Sequence, residues 1–321
     1  MTDIDPILKN KPKGANIIED FDDSTFNATL TNNAKKINPL QKHFRIPGLS
    51  VKLPSQCYYY ENNEVDTNLN GEIDVYPMTA GDELIMKNPD ALLSGKAIES
   101  LIESCVPQVN NVRKLLAIDV DVLLLAIRSA SYDNKMDLAA KCPKCSTENS
   151  FEIDTSAILA NTLFLEPPYA ITLKQNLIVY IKPYNFADQT KAAITAFEQT
   201  KKTQQLTSMS ESELTPEKES AIRLQLAETV RTIIKTKYDL MANSITHIEV
   251  DDNTVTNKKQ IIEFLENAPK FLIDKISHGF EQLNNFVPIN RKQKVMCANQ
   301  SCQHQWSLEV DFNPSNFFEL G

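Results

Sequence analysis

At 321 residues the chain can bury one large core or two ordinary ones, and 42% hydrophobic with 23% charged residues is the balance of a folded protein rather than a disordered one. A formal charge of −9 argues against a general affinity for nucleic acid, which needs a surplus of Lys and Arg facing phosphate. Only seven glycines occur, and neither G-x-G-x-x-G nor G-x-x-x-x-G-K-[ST] is present, which excludes the common phosphate-cradling loops.

Residues 1–45 are polar, rich in Asp, Asn and Thr, and without a sustained period; they read as an extended N-terminal arm, loose alone or ordered against a neighbour, with a disordered tail that has no partner as the alternative. Short strands are expected over 50–53, 57–60 and 72–78, interrupted by Pro47 and Pro54. Thr79 stands as an N-cap, with Asp82 and Glu83 in the first turn, where the helix dipole favours carboxylates. Pro89 opens a helix whose Leu92, Leu93, Ala97, Ile98, Leu101, Ile102 and Cys105 share one face. That stripe makes Cys105 a core residue rather than a reactive thiol. Asp119 to Ser131 form a third helix, nearly all buried around the run Val122 to Ile127.

The run 134–141 enters Cys142-Pro143-Lys144-Cys145 as a strand, and 150–154 leaves it as another. Residues 171–184 read as a hairpin turning at Gln175-Asn176. A helix from Phe186 to about Gln205, a polar linker over 206–214 and a long helix opened by Pro216 come next. In that helix Ile222, Leu226, Val230, Ile233, Ile234, Tyr238 and Met241 are spaced for one buried face. A small hairpin over 246–256 and helices over 258–267 and 270–285 complete this segment. Near the far end, 294–296 enters a turn holding Cys297 and Cys302, and 306–310 alternates on the way out. The fold class expected is α+β: mixed helices and short antiparallel hairpins, with two cysteine knuckles forming a split zinc ribbon around an α-rich insertion. The domain plan is an arm over 1–45, a core over 46–155 plus 288–321, and the insertion over 156–287.

The longest apolar run falls far short of the ~20 residues that cross a bilayer, and the N-terminus lacks the apolar stretch of a signal peptide. A reducing cytoplasm is therefore the expected folding compartment, and the six cysteines read as thiols or metal ligands rather than disulfides.

One C-x-x-C serves metal knuckles and redox dithiols alike. A redox pair sits at a helix N-terminus, whereas Cys145 is followed by polar and then strand-forming residues. Cys297 and Cys302 supply a second pair, also inside a hairpin, and four thiolates in two hairpin turns match a closed tetrahedral zinc site. The candidate ligands for a structural Zn2+ are Cys142, Cys145, Cys297 and Cys302. His304 lies two residues beyond Cys302, so a set of three cysteines with His304 as fourth ligand stays open, as does a set of four free thiols. Joining Cys142 to Cys297 closes a loop of about 155 residues (297 − 142), which costs roughly 4–5 kcal/mol plus a constant. A structural zinc in a small finger supplies an apparent ~10–16 kcal/mol, enough to fasten so distant a pair. Four protein ligands leave no position for substrate or water. H-E-x-x-H and G-x-S-x-G are absent, and His43, His247, His278 and His304 form no cluster, so no enzyme is expected.

The ordered series "FRIPGLSVKLPSQCYYY", "EIDVYPMTAGDELIMKNPDALLSGKAIESLIESCVP" and "DVDVLLLAIRSASYDNKMDLAAKCPKC" resembles the baseplate hub proteins of T-even-like, contractile-tailed bacteriophages. The closing "CQHQWSLEVDFNPSNFF", with its aromatic pair Phe317-Phe318, is similar to the family's ending; the likeness covers about 44–155 and 290–320. What the resemblance implies is a non-enzymatic virion protein of the tail baseplate, made in the host cytoplasm. It would be present in several copies, packed against hub and wedge proteins, with no nucleic acid and no small-molecule substrate. Two other readings are open. A zinc-ribbon accessory factor touching nucleic acid would use Lys141, Lys144, Arg291, Lys292 and Lys294, and a thiol oxidoreductase would use Cys142 without metal.

Overall fold

The computed structural model describes residues 44–61, 63–132, 134–174, 176–207 and 216–310, together with Leu40. Nearly all of the expected arm, Gln175, most of the polar linker and the aromatic pair Phe317-Phe318 lie outside the described residues. Every element below belongs to the unit Arg45–Gly321. Among the described residues there are nine α-helices and four antiparallel sheets, so the class is α+β.

Strand β1 (Leu49–Val51) pairs with β2 (Ile73–Val75), Ser50 opposite Asp74. The strand expected over 57–60 does not form. Residues 53–60 are instead a run of turns, in which the amides of Gln56, Tyr58 and Tyr60 donate to the carbonyls of Leu53, Ser55 and Cys57. Gln56 and Cys57 take φ of 52° and 59°. The cause is tertiary. Asp119 is fully buried, and it accepts from the Ser55 amide at 2.9 Å and from the Tyr60 hydroxyl at 2.5 Å. Wrapping the segment around that carboxylate overrides the strand preference of three adjacent tyrosines.

Helix α1 (Ala80–Met86) starts from a capping box in which Thr79 and Asp82 bond each other's backbone amides. The single helix expected from Pro89 is two, α2 (Pro89–Leu93) and α3 (Lys96–Cys105). Gly95 parts them at φ +75°, a conformation open to glycine without strain. Helix α4 (Ala117–Ser131) is buried almost throughout and organises the first core, in which Leu101, Ile102, Cys105, Leu123 and Leu125 are fully enclosed.

Strands β3 (Lys135–Lys141) and β4 (Glu148–Asp154) form the first cysteine hairpin, and Asp154 then caps α5 (Thr155–Ala160). A four-stranded sheet follows in the order β5 (Tyr169–Lys174), β6 (Leu177–Ile181), β7 (Ile245–Val250), β8 (Asn253–Val255). Between β6 and β7 run α6 (Phe186–Thr207) and α7 (Pro216–Ser244), which pack on each other. Helices α8 (Lys258–Asn267) and α9 (Lys270–Asn284) bury Ile261, Leu265, Ile276 and Phe280 in a second core with Val179 and Ile248 of the sheet. Gly279 lets α9 approach β5, since a Cβ there would stand 2.3 Å from Ile171 Cδ1. Strands β9 (Lys292–Met296) and β10 (Gln305–Glu309) form the second cysteine hairpin.

The buried face expected along α7 is only partly buried. Met241 is enclosed, but Val230, Ile233 and Ile234 are 54%, 43% and 46% exposed. Leu224 on α7 and Phe197 on α6 are also exposed, while Gln199 and Thr229 are buried. Polar side chains are thus enclosed on these two helices while the middle of the aliphatic stripe is left exposed.

Candidate metal centre

The two cysteine turns sit at the tips of their hairpins. β3 pairs with β4 from Lys135 opposite Asp154 to Lys141 opposite Glu148, and β9 pairs with β10 from Lys292 opposite Glu309 to Met296 opposite Gln305. The two turns close alike despite their different lengths. In each, the amide of the first cysteine donates to the carbonyl of the residue two past the second, Cys142 to Thr147 and Cys297 to His304, both at 2.9 Å. In each, the residue after the second cysteine takes positive φ, Ser146 at 58° and Gln303 at 44°. These turns aim both thiols of a pair the same way, off the end of the hairpin.

The result is a group of four sulfurs. The Sγ atoms of Cys142, Cys145, Cys297 and Cys302 all lie within 4.8 Å of one another. Cys142 stands 3.9 Å from Cys302 and Cys145 stands 3.6 Å from Cys297, so the short contacts cross between hairpins. Four sulfurs at ~2.3 Å from a tetrahedral centre are about 3.8 Å apart, whereas a disulfide needs about 2.05 Å. All four are free thiols, and their spacing fits a bound ion. The set can hold a metal ion.

His304 is not in the group. Its carbonyl closes the second turn, and its ring stacks on Trp306 with centroids 6.2 Å apart. Cys105 is sealed in the first core, Cys57 is half-buried in the turns around Asp119, and burial pushes both thiols up to about 11. Of the other candidate histidines, His247 stacks on Tyr180, His278 lies beside Gln282 on α9, and His43 is outside the described residues.

Sequence reasoning missed Asn149. It is buried between the knuckles, where its Oδ1 accepts from the Ala298 amide at 2.7 Å and its Nδ2 donates to the Thr147 carbonyl at 2.7 Å. One side chain thereby ties the two turns together. Its signal in the sequence was faint: an amide in a strand, a poor strand former retained two residues after a turn. Phe151 of β4 meets Trp306 of β10 edge to face at 5.5 Å, a second tie between the hairpins.

The Cys145 thiol, the most exposed of the four, donates to the Thr147 hydroxyl at 3.2 Å, and its contacts with that hydroxyl and the Thr147 amide lower it to about 6, while burial pushes Cys297 up to about 11. A bound cation favours thiolate at every ligand, so metal uptake would release protons. Around the site, Lys141 pairs with Glu148 at 3.3 Å and Lys135 with Glu152 at 2.8 Å. Arg291 pairs with Asp121 at 2.5 Å. Among the described residues no helix is long and apolar enough to cross a membrane.

The family model described as T4 bacteriophage base plate protein matches residues 58–319, which takes in both cysteine hairpins and all that lies between them. No curated protein and no solved structure matches the chain. With a match over most of its length, the chain belongs to the T4 bacteriophage base plate protein family, and its place is the tail baseplate of the virion.

Proposed function

We propose that this chain is a non-enzymatic structural and assembly component of the hub region of a contractile tail, folded around one structural Zn2+. Cys142, Cys145, Cys297 and Cys302 are its ligands, with no role for His304. The observation that carries the reading is the close group of four sulfurs, drawn from two hairpin turns about 155 positions apart, inside a chain of the base plate family. A closed set of four thiolates leaves no position for substrate, which suits a staple rather than a Lewis acid.

The proposed plan has residues 46–155 and 288–321 as the stapled core, with 156–287 an insertion between the knuckles and 1–45 an arm. Two separate buried clusters support the division. One draws on residues between Val51 and Ile158 together with Ile289 and Val310, and the other mainly on residues between Leu165 and Leu283. Leu116 and Ile118, beside and within the first turn of α4, belong to the second cluster and would couple the two parts.

Members of a baseplate pack against other tail proteins. The finer proposal is that several copies of this chain contact hub and wedge proteins, and the exposed Val230, Ile233 and Ile234 of α7 support such a contact. A role on nucleic acid has less support: the chain carries a formal charge of −9, and of the five basic residues such a role would use, Lys141 and Arg291 are already paired with carboxylates. Quantitative mass spectrometry of purified particles tests the reading. A fixed, small-integer number of copies per tail is expected, and absence from baseplates at every stage of assembly would refute it.

A further inference from the structure

The contacts among the four sulfurs have a pattern of their own. Cys145 Sγ stands 3.6 Å from Cys297 Sγ, and Cys142 Sγ stands 3.9 Å from Cys302 Sγ. Both contacts run from one hairpin to the other, and together they use each sulfur once. A disulfide needs about 2.05 Å between sulfurs. Rotation about the Cα–Cβ bonds moves sulfurs without moving the backbone, and a gap of this size is within its reach.

Access to the sulfurs is uneven. Cys145 is exposed and Cys302 half-buried, whereas Cys142 and Cys297 are buried. Each crossed pair thus joins a sulfur that an oxidant in solution can reach to one that is sheltered. The hairpins are also held together by bonds that need no metal. The Asn149 side chain links the Ala298 amide to the Thr147 carbonyl, and Phe151 meets Trp306 edge to face. Each turn is closed by its own backbone, through the amides of Cys142 and Cys297. The four sulfurs therefore stay close when an ion leaves. The other two cysteines lie apart from them, Cys105 enclosed in the first core and Cys57 in the turns around Asp119.

We propose that this cluster is an oxidation site for peroxides, where the four thiols become two disulfides, Cys145–Cys297 and Cys142–Cys302, that replace the metal as the tie between the hairpins. It rests on the four sulfurs acting as one site, as the zinc staple does. The Cys145 thiolate attacks one oxygen of hydrogen peroxide; the O–O bond breaks, hydroxide leaves and a sulfenic acid forms. The Cys297 thiolate then attacks that sulfur, the S–S bond forms and a second hydroxide leaves. The pair has given two electrons to one peroxide. Cys302 and Cys142 repeat the sequence with a second peroxide, and a cation held by the four thiolates is released as they are consumed. The crossed bonds close loops of 152 and 160 positions, so the distant segments stay fastened without the ion. Such bonds persist where no cellular thiol reductant acts, as around a free virion, and the chain is a protein of the tail baseplate.

Non-reducing peptide mapping of the full chain, before and after hydrogen peroxide, tests the proposal, with zinc content and free thiols read on the same samples. Free thiols counted in denaturant are expected to fall from six to two, Cys57 and Cys105, with any bound zinc released. Trypsin cuts after Lys141, Lys144, Lys174 and Lys294, which puts Cys142 and Cys145 on different peptides and Cys297 on one with Cys302. Peptides 142–144 and 145–174 should both be joined to 295–321 and not to each other, with fragmentation placing Cys145 on Cys297. Oxidised metal-free protein should melt about 5 °C or more above reduced metal-free protein, and dithiothreitol should abolish the difference. Peptide 142–144 joined to 145–174, Cys145 joined to Cys302, or Cys145 oxidised beyond the sulfenic acid with no link would each overturn the proposal. Crossed bonds in a chain that carried no zinc would uphold it and refute the zinc staple, whereas bound zinc without crossed bonds would do the reverse.

Discussion

Cys142 and Cys302 stand 160 positions apart in the chain, and their sulfurs lie 3.9 Å from each other. Contacts of that separation need a covalent, metal or core link to outweigh the entropy of closing the loop. Most residues of the second core, Leu165 to Leu283, lie in sequence between the two cysteine pairs. Cutting the link should therefore be felt globally. Cys297→Ser, or removal of metal by a strong chelator, is expected to cost about 4–5 kcal/mol, the closure term alone, which lowers Tm by roughly 10–15 °C in a chain of this size. Scanning calorimetry checks it, and an unchanged Tm would show that the hairpins stay together without the ligands.

Asp119 gives a pH signature. Burial pushes its carboxyl up to about 6, although the bonds from Ser55 and Tyr60 act the other way. The folded chain therefore holds this proton more tightly than the unfolded chain, where an Asp titrates near 3.9. The stability it contributes is fully present below about pH 4 and is lost as pH rises through about 6, on the order of 3 kcal/mol in all. Asp119→Asn keeps the acceptor oxygen and removes the titration. Denaturant unfolding of both proteins from pH 4 to 7 should show the variant gaining on wild type across that window. A constant difference between them would contradict the assignment.

Gly95 carries a backbone prediction. It parts α2 from α3 at φ +75°, and a Cβ there would stand 3.1 Å from Thr190 Cγ2 of α6. Gly95→Ala should destabilise by about 1–2 kcal/mol from the left-handed conformation alone. Chemical denaturation measures this, and a neutral effect would mean that one helix can run on from Pro89 after all.

The outward stripe of α7 separates stability from assembly. Val230 and Ile234 are half-exposed, so Val230→Lys with Ile234→Lys should leave monomer stability within about 0.5 kcal/mol of wild type per site. Incorporation into baseplates is expected to fall sharply. Normal incorporation would show that this face meets no neighbour.

Much of this was legible in the sequence. The alternation of Lys135–Lys141 and of the residues before Cys297 marks strands, because a half-buried hairpin has one period and leaves little choice of register. Thr79 and Asp82 announce a helix start because the capping box is a local bond. What could not be read lies in contacts between distant segments. The turns over 53–60 depend on Asp119, and the tie between the knuckles depends on Asn149, neither marked by a period. The α7 stripe misleads for a related reason: spacing shows that a face is apolar but not whether this chain or another covers it. At the cysteines, spacing suggested four ligands and left His304 open, and only the shared closure of the two turns assigns His304 the place of Thr147.

The most direct test of the proposed zinc staple is metal content per chain, measured by native mass spectrometry on protein produced with zinc available. One zinc per chain is predicted for wild type and for His304→Ala, and none for Cys142→Ser or Cys297→Ser. A metal-free wild type, or a His304→Ala variant that loses the ion, would contradict the four-sulfur staple.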